Sequence, residues 1–246
     1  MKSVSPAANK LVDLFNAISS HDAQLVAVTE TWLNDAVTEI ETLPARFVVH
    51  RKDRCCTDPG KRGGGLLLGV DQSIPSKRRT DLEAPCEIMV CELTNPSNPK
   101  VAVVLCYRPP QSDKRMFISN LHDVLFNVLK EFTFVTVLGD FNFPDLDWVR
   151  DVHNSVSPES EFFHLMLSFF LKQVNTVPSN AHQHFLDLIF SNSDGLIQNI
   201  SDAHVDYDSD HIVLYFDMFL DPPKNAAVNE KSIITRKLTS ITLIAF

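Results

Sequence analysis

No stretch of about 18 consecutive apolar residues occurs in this chain, which argues against a membrane-spanning helix. The first ten residues, MKSVSPAANK, contain no apolar core segment, so a secretory signal is not expected. Cysteine is scarce. Cys55, Cys56, Cys86, Cys91 and Cys106 stand at no zinc-ligand spacing. An odd set of thiols without a signal reads as reduced cysteine in an intracellular protein. Internal repeats and low-complexity segments are also lacking. Positive charge is short overall: the net charge of -9 argues against tight non-specific binding to nucleic acid. The basic residues are clustered, with Arg51, Lys52, Arg54, Lys61 and Arg62 close together and Lys77-Arg78-Arg79 following. Such clusters read either as a basic rim beside an acidic pocket or as solvated loop charge.

What is present suits one folded domain. The 246 residues are 44% hydrophobic, enough for the core of a single α/β unit. Asn9 to Ser19 has Leu11, Leu14, Phe15 and Ile18 at helical spacing. Gln24 to Thr29 reads as a buried strand that delivers Glu30 at its end, where a carboxylate is costly to bury unless paired or bound to a cation. Phe47 to His50 is a short strand, and Cys55 to Gly65 a loop. The run Gly63-Gly64-Gly65 before the strand Leu66 to Val70 suggests close backbone approach or a bend, and no GKS/T follows to make it a phosphate loop. Ile88 to Leu93 and Val101 to Leu105 form an expected antiparallel pair around a turn at Asn95 to Pro99. The second of these strands is stopped by Pro109 and Pro110, leaving Tyr107 at its mouth. Helices are expected over Met116 to Lys130 and Ser160 to Leu171, and strands over Leu186 to Phe190 and Ile212 to Phe219. Asp187 lies among apolar neighbours and needs a partner. His182 and His184 read as loop residues rather than metal ligands.

The centre of the pattern is Val135 to Trp148, VTVLGDFNFPDLDW. An apolar run ends in Gly139, and Asp140 and Asn142 then alternate with Phe141 and Phe143. In an extended backbone this alternation sends the two polar side chains to one side and the rings to the other. A site can thus be held while its back is packed into a core.

Five stretches together resemble the endonuclease/exonuclease/phosphatase superfamily, which includes DNase I, and most of all the endonuclease domains of LINE-type (non-LTR) retrotransposons. In order they are TETWL at Thr29 to Leu33, CYRPP at Cys106 to Pro110, GDFN at Gly139 to Asn142, LDLIFSN at Leu186 to Asn192 and SDH at Ser209 to His211. The resemblance implies a single domain over residues 1–220, followed by a C-terminal tail over 221–246. Its fold would be a four-layer α/β/β/α sandwich of two mixed, largely antiparallel sheets.

The resemblance also implies a Mg²⁺-dependent phosphodiester hydrolase, with Mn²⁺ as an alternative ion, that nicks one DNA strand and leaves a 3′-hydroxyl. Glu30 would be the main metal ligand, assisted by Asp210. Asp140 would orient or deprotonate the attacking water, and Asn142 would position it or the phosphate. His211, held by Asp187, and Tyr107 would donate to the phosphate. Ser209, Ser179 and Arg108 would line the phosphate pocket. DNA is the implied partner, no membrane or protein partner is implied, and a DNA substrate would place the protein in the nucleus.

One departure accompanies the resemblance. The family's first core strand ends in an Asn of the site, a position that falls near Ser3 with no apolar strand before it. The chain therefore reads as truncated, with neighbouring backbone groups unpaired or re-paired. A catalytically dead remnant, or a phosphatase acting on phospholipid head groups, are the rival expectations.

Overall fold

A computed structural model of the chain describes residues 14–16, 18–54, 63–94, 100–146, 157–179, 184–203, 213–220 and 237–245. Twelve strands are assigned among them. They are β1 (Leu25–Thr29), β2 (Phe47–Lys52), β3 (Leu66–Asp71), β4 (Ser76–Arg78), β5 (Ile88–Leu93), β6 (Val101–Tyr107), β7 (Phe134–Asp140), β8 (Lys172–Gln173), β9 (Asp187–Ser191), β10 (Ile197–Ala203), β11 (Val213–Phe219) and β12 (Lys237–Ala245). Two α-helices join them, α1 (Lys114–Glu131) and α2 (Pro158–Ser168). The strands make two six-stranded sheets, one in the order β10-β11-β12-β1-β3-β2 and the other β4-β5-β6-β7-β9-β8. Only β1/β12 and β6/β7 pair in parallel; every other pairing is antiparallel. This is the expected sandwich. No helix among the described residues is long and apolar enough to cross a membrane.

The layering follows from period-2 alternation in strands buried on both faces. In β6, Val101, Val103, Leu105 and Tyr107 face the other sheet, where they meet Leu25, Leu68, Phe216 and Met218. Ala102, Val104 and Cys106 face outward onto the helices, among Phe117, Leu121, Val124 and Phe162. The first sheet is covered on its own outer side by Leu14, Ile18, Leu43 and Phe47 packed on Val26 and Val28. Each helix starts at a capping side chain. Asp113 accepts from the backbone N–H groups of Arg115 (2.9 Å) and Met116 (3.0 Å), and Ser157 accepts from Ser160 just before Pro158 opens α2.

Residues 237–245 depart from the expected tail. They form β12, which lies in the middle of the first sheet, parallel to β1 from Leu25↔Ser240 to Thr29↔Ala245 and antiparallel to β11 from Leu214↔Thr242 to Phe219↔Lys237. Both edges of β1 are thereby used, by β3 on one side and β12 on the other. Of the two expectations for the neighbouring backbone groups, unpaired or re-paired, the second holds: β1 pairs with the C-terminal segment.

Apart from Lys77, which is exposed as solvated charge, the described members of the basic clusters differ from both expectations. Arg51 pairs with Asp53 (2.6 Å), Lys52 with Glu83 (3.0 Å), Arg54 with Glu87 (2.8 Å), Arg78 with Glu83 (2.8 Å), and Arg79 with Asp81 and Glu131 (2.6 and 2.8 Å). Lys52 and Glu83 are almost wholly buried. These cations are held internally by carboxylates and form neither a free basic rim nor solvated loop charge. Lys61 and Arg62 lie outside the described residues.

Candidate active site

The candidate site sits at one mouth of the cleft between the sheets. In the second sheet the register places Tyr107 opposite Asp140 and Asp140 opposite Asp187, a row across β6, β7 and β9. Gly139 makes that row possible. Its φ is +150°, and a Cβ there would lie 1.8 Å from the carbonyl oxygen of Cys106 on the adjacent strand. Beyond it Phe141 and Phe143 are buried in the helix-side core, their rings 5.2 and 4.7 Å from that of Phe162. Asp140 and Asn142 share the opposite side. The Asn142 backbone N–H donates to Asp140 Oδ1 (3.0 Å), and its side-chain amide donates to Asp140 Oδ2 (2.7 Å) and to the Arg108 carbonyl (3.0 Å). Asn142 adopts a positive φ of 50°, a region where Asn is enriched. Asp140 is fully buried with both carboxylate oxygens engaged.

The first sheet contributes Glu30, half-buried at the end of β1. The Tyr107 hydroxyl crosses the cleft and donates to Glu30 Oε1. Burial, this hydrogen bond and the negative charges of Glu30 and Asp140 raise the phenol well above its ordinary value of 10.0, so it remains a donor throughout the neutral range. A group whose folded-state pKa is raised contributes stability that is complete below its unfolded value and is lost as pH climbs toward the folded one. The wild-type chain is therefore expected to lose stability above about pH 10 more steeply than Tyr107→Phe in pH-dependent denaturant melts. Equal slopes would show that the phenol is not held against Glu30.

Behind Glu30 and Tyr107 lies a support that the sequence did not single out. The Thr31 and Trp32 backbone N–H groups donate to Gly65 (3.4 Å) and Gly64 (2.8 Å), extending the β1/β3 ladder past Thr29. The Gly65 N–H donates to Glu87, and Glu87 holds Arg54, whose guanidinium lies 5.5 Å over the Tyr107 ring. The glycine run admits these groups. A Cβ on Gly64 would lie 2.2 Å from the Arg54 guanidinium carbon.

Among the described residues no three His, Cys, Asp or Glu side chains converge to hold a metal. The carboxylate available at the mouth is Glu30, and Asp210, His211 and Ser209 lie outside the described residues.

Residues 101–215 match the family model described as Endonuclease-reverse transcriptase. The fold matches the endonuclease domain of TRAS1, a telomere-specific non-LTR retrotransposon, with a TM-score of 0.64 at 15% identity over 85% of this chain and 91% of that one. The chain has the DNase I-like fold, and the matched segment is similar to the endonuclease/exonuclease/phosphatase superfamily. The catalytic domain of Xenopus laevis APE2 is similar as well, with a TM-score of 0.58 at 11% identity over 94% of this chain and 88% of that one. So is the 3′ phosphatase NExo from Neisseria bound to a product DNA hairpin, with a TM-score of 0.56 at 14% identity over 83% and 92%. No curated protein matches the sequence. Within the superfamily the family model spans Tyr107, Asp140, Asn142 and Asp187, and ends after SDH.

Two residues expected at the phosphate are placed otherwise. Arg108 is almost completely buried, at 1% exposure. Its guanidinium donates to the carbonyls of Phe141 (2.7 Å), Asn142 and Pro109 (3.0 Å), and it lies 4.6 Å over the Phe143 ring. It ties CYRPP to GDFNF from behind, because a planar fork with several donors can satisfy several carbonyls together. Arg108→Ala is expected to cost about 3 kcal/mol in a urea melt, since it leaves buried carbonyls unpaired. The folded fraction should keep its KM for substrate. A selective rise in KM with unchanged stability would restore the phosphate role.

Ser179 is fully buried, and its hydroxyl accepts from the backbone N–H groups of Leu186 (2.8 Å) and Asp187 (2.7 Å). With Asn175, whose amide donates to the Asp187 carbonyl (2.8 Å) and the Val177 carbonyl (2.9 Å), it fixes the start of β9 and so the place of Asp187. Asn175 was not foreseen; a buried Asn in a loop gives no signal until its backbone partners are known. His184 uses its carbonyl to accept from the Ser179 N–H (2.7 Å). Among the described residues, Cys86, Cys91 and Cys106 make no side-chain hydrogen bond with the site residues. Cys86 and Cys91 are pushed up by burial to about 11 and about 12, which keeps them as unreactive thiols.

Proposed function

We propose that the chain is a metal-dependent phosphodiester hydrolase acting on DNA, a retrotransposon-type endonuclease that nicks one strand and leaves a 3′-hydroxyl. One observation carries this reading. Glu30 from one sheet and Tyr107, Asp140 and Asn142 from the other meet at a single mouth, each held by a named hydrogen bond. The likeness to the TRAS1 endonuclease domain and to a Neisseria enzyme bound to product DNA supports DNA as the substrate class.

The donor set fits Mg²⁺, with Mn²⁺ as the alternative. A half-exposed carboxylate with one oxygen already accepting from a phenol suits a hard ion that takes one or two carboxylates and keeps its waters. Glu30 would hold it, with Asp210 assisting. When bound, the metal supplies neutralisation of the phosphate oxygens and of the leaving group. Asp140 orients the attacking water or takes its proton, in a geometry fixed by the two Asn142 donors. Tyr107, by turning its single O–H away from Glu30, donates to a phosphate oxygen as charge develops. His211, oriented by Asp187, would donate to a non-bridging oxygen, and Ser209 would line the pocket. A nuclear place of action follows from this substrate.

The product tests the reading. Supercoiled plasmid incubated with the protein and Mg²⁺ is expected to give open circles whose nicks prime a DNA polymerase directly. Nicks that require prior 3′-phosphatase treatment, or phosphate release from phosphoinositides without nicking, would overturn it.

A further inference from the structure

We propose that Trp32 is a stacking platform for a nucleobase beside the scissile phosphate, and so a positioning residue for the DNA substrate. The inference rests on the DNA reading above. Trp32 lies two residues past Glu30 and is 57% exposed, whereas the other residues of the β1 end are buried or half-buried. A single exposed apolar side chain means little. Here exposure coincides with three other observations.

The first is the backbone. Trp32 adopts φ 53°, a left-handed conformation that a bulky residue rarely takes. Such conformations persist where the surroundings over-determine them. In this case the Trp32 N–H is fixed to the Gly64 carbonyl at 2.8 Å.

The second is the seat. A Cβ on Gly63, itself at φ +88°, would lie 3.1 and 3.2 Å from Trp32 Cζ2 and Cε2. The indole therefore rests directly on a glycine, with more than half of the side chain exposed. The same glycine run admits Arg54 against Tyr107, so the platform and the Glu30–Tyr107 contact share one support.

The third is charge. The net charge is -9, and Arg51, Lys52, Arg54, Arg78 and Arg79 are all paired with carboxylates. These five cations are committed to carboxylates and are poorly placed to grip phosphates, so an aromatic face beside Glu30 adds an uncharged contact for DNA. Every base has a flat π-face, and base–aromatic stacking supplies that contact without sequence readout.

The chain has two tryptophans, so Trp148→Phe leaves Trp32 as the sole indole reporter. Adding an oligonucleotide to this variant, with the metal chelated, is expected to quench its fluorescence. In the wild-type background, Trp32→Ala should raise the KM for plasmid nicking roughly tenfold, the scale of one stacked base, with kcat within about twofold. Trp32→Phe should recover most of the loss. Hydrolysis of a dinucleotide of two abasic tetrahydrofuran residues, a small diester with no ring to stack, should be unchanged in both variants.

Nicking by Trp32→Ala at the wild-type KM, or no quenching, would overturn the proposal while leaving the nuclease reading intact. Equal losses on both substrates would also overturn it, showing a merely structural role. A wild-type protein that hydrolyses the small diester yet neither binds nor nicks DNA would remove the DNA reading, and this inference with it.

Discussion

Deleting residues 237–246 is expected to abolish cooperative folding rather than to trim a tail. Among the described strands, β12 alone links the β10-β11 hairpin to the rest of its sheet, and it pairs with β1 along the whole of that strand. Without it, two strand edges in the middle of a sheet lose their ladder. Each buried backbone group left unpaired costs about 1–3 kcal/mol, against a total stability of only about 5–15 kcal/mol for a typical domain. Direct re-pairing of β1 with β11 would have to recover most of this. The truncated chain should lack a sigmoidal thermal transition by circular dichroism. A truncated chain that melts within a few degrees of the full one would show β12 to be dispensable.

Asp140→Asn is expected to lower phosphodiester hydrolysis by about 10³-fold or more, within the range found for a positioned acid–base group. The substitution keeps volume and planarity, so Phe141, Phe143 and the β6/β7 ladder stay in place. What changes is one charge and the acceptor pattern. Both Asp140 oxygens accept from Asn142, and an amide offers only one good acceptor there. Glu30→Gln should act differently, by raising the Mg²⁺ concentration needed for half-maximal rate, because it removes a ligand charge rather than the water's partner. Steady-state rates across a Mg²⁺ titration separate the two. Loss of kcat alone in Glu30→Gln, at unchanged Mg²⁺ dependence, would contradict the metal assignment.

Much of this site could be read from residue order. Strands β1, β5, β6, β7, β9 and β11 are apolar runs closed by Gly, Pro or charge, a local pattern with few alternatives. The alternation Asp140-Phe141-Asn142-Phe143 already separates polar from packed faces, and the structure keeps that separation. The glycine run was legible as a close approach; what approaches, Arg54 and Trp32, depends on β2 and the end of β1 and is not local.

The misreadings share a cause. β4 (SKR) and β10 (IQNISDA) are polar strands whose assignment comes from a partner rather than from propensity, and β8 has only two residues. β12 follows a polar stretch and is specified by the open edges of β1 and β11. The charges of Arg51, Arg54, Arg79 and Arg108 look alike in sequence. Only tertiary placement tells a phosphate ligand from an internal tie to Asp53, Glu87, Glu131 or the Phe141 carbonyl.

The most direct test of the account is the rate at which the purified chain nicks supercoiled plasmid across a Mg²⁺ titration. Asp140→Asn is measured beside it, and circular dichroism confirms that both are folded. The account predicts saturable, Mg²⁺-dependent nicking by the wild type and essentially none by the variant. A folded wild-type chain that nicks at no Mg²⁺ concentration, or equal nicking by both proteins, would contradict it.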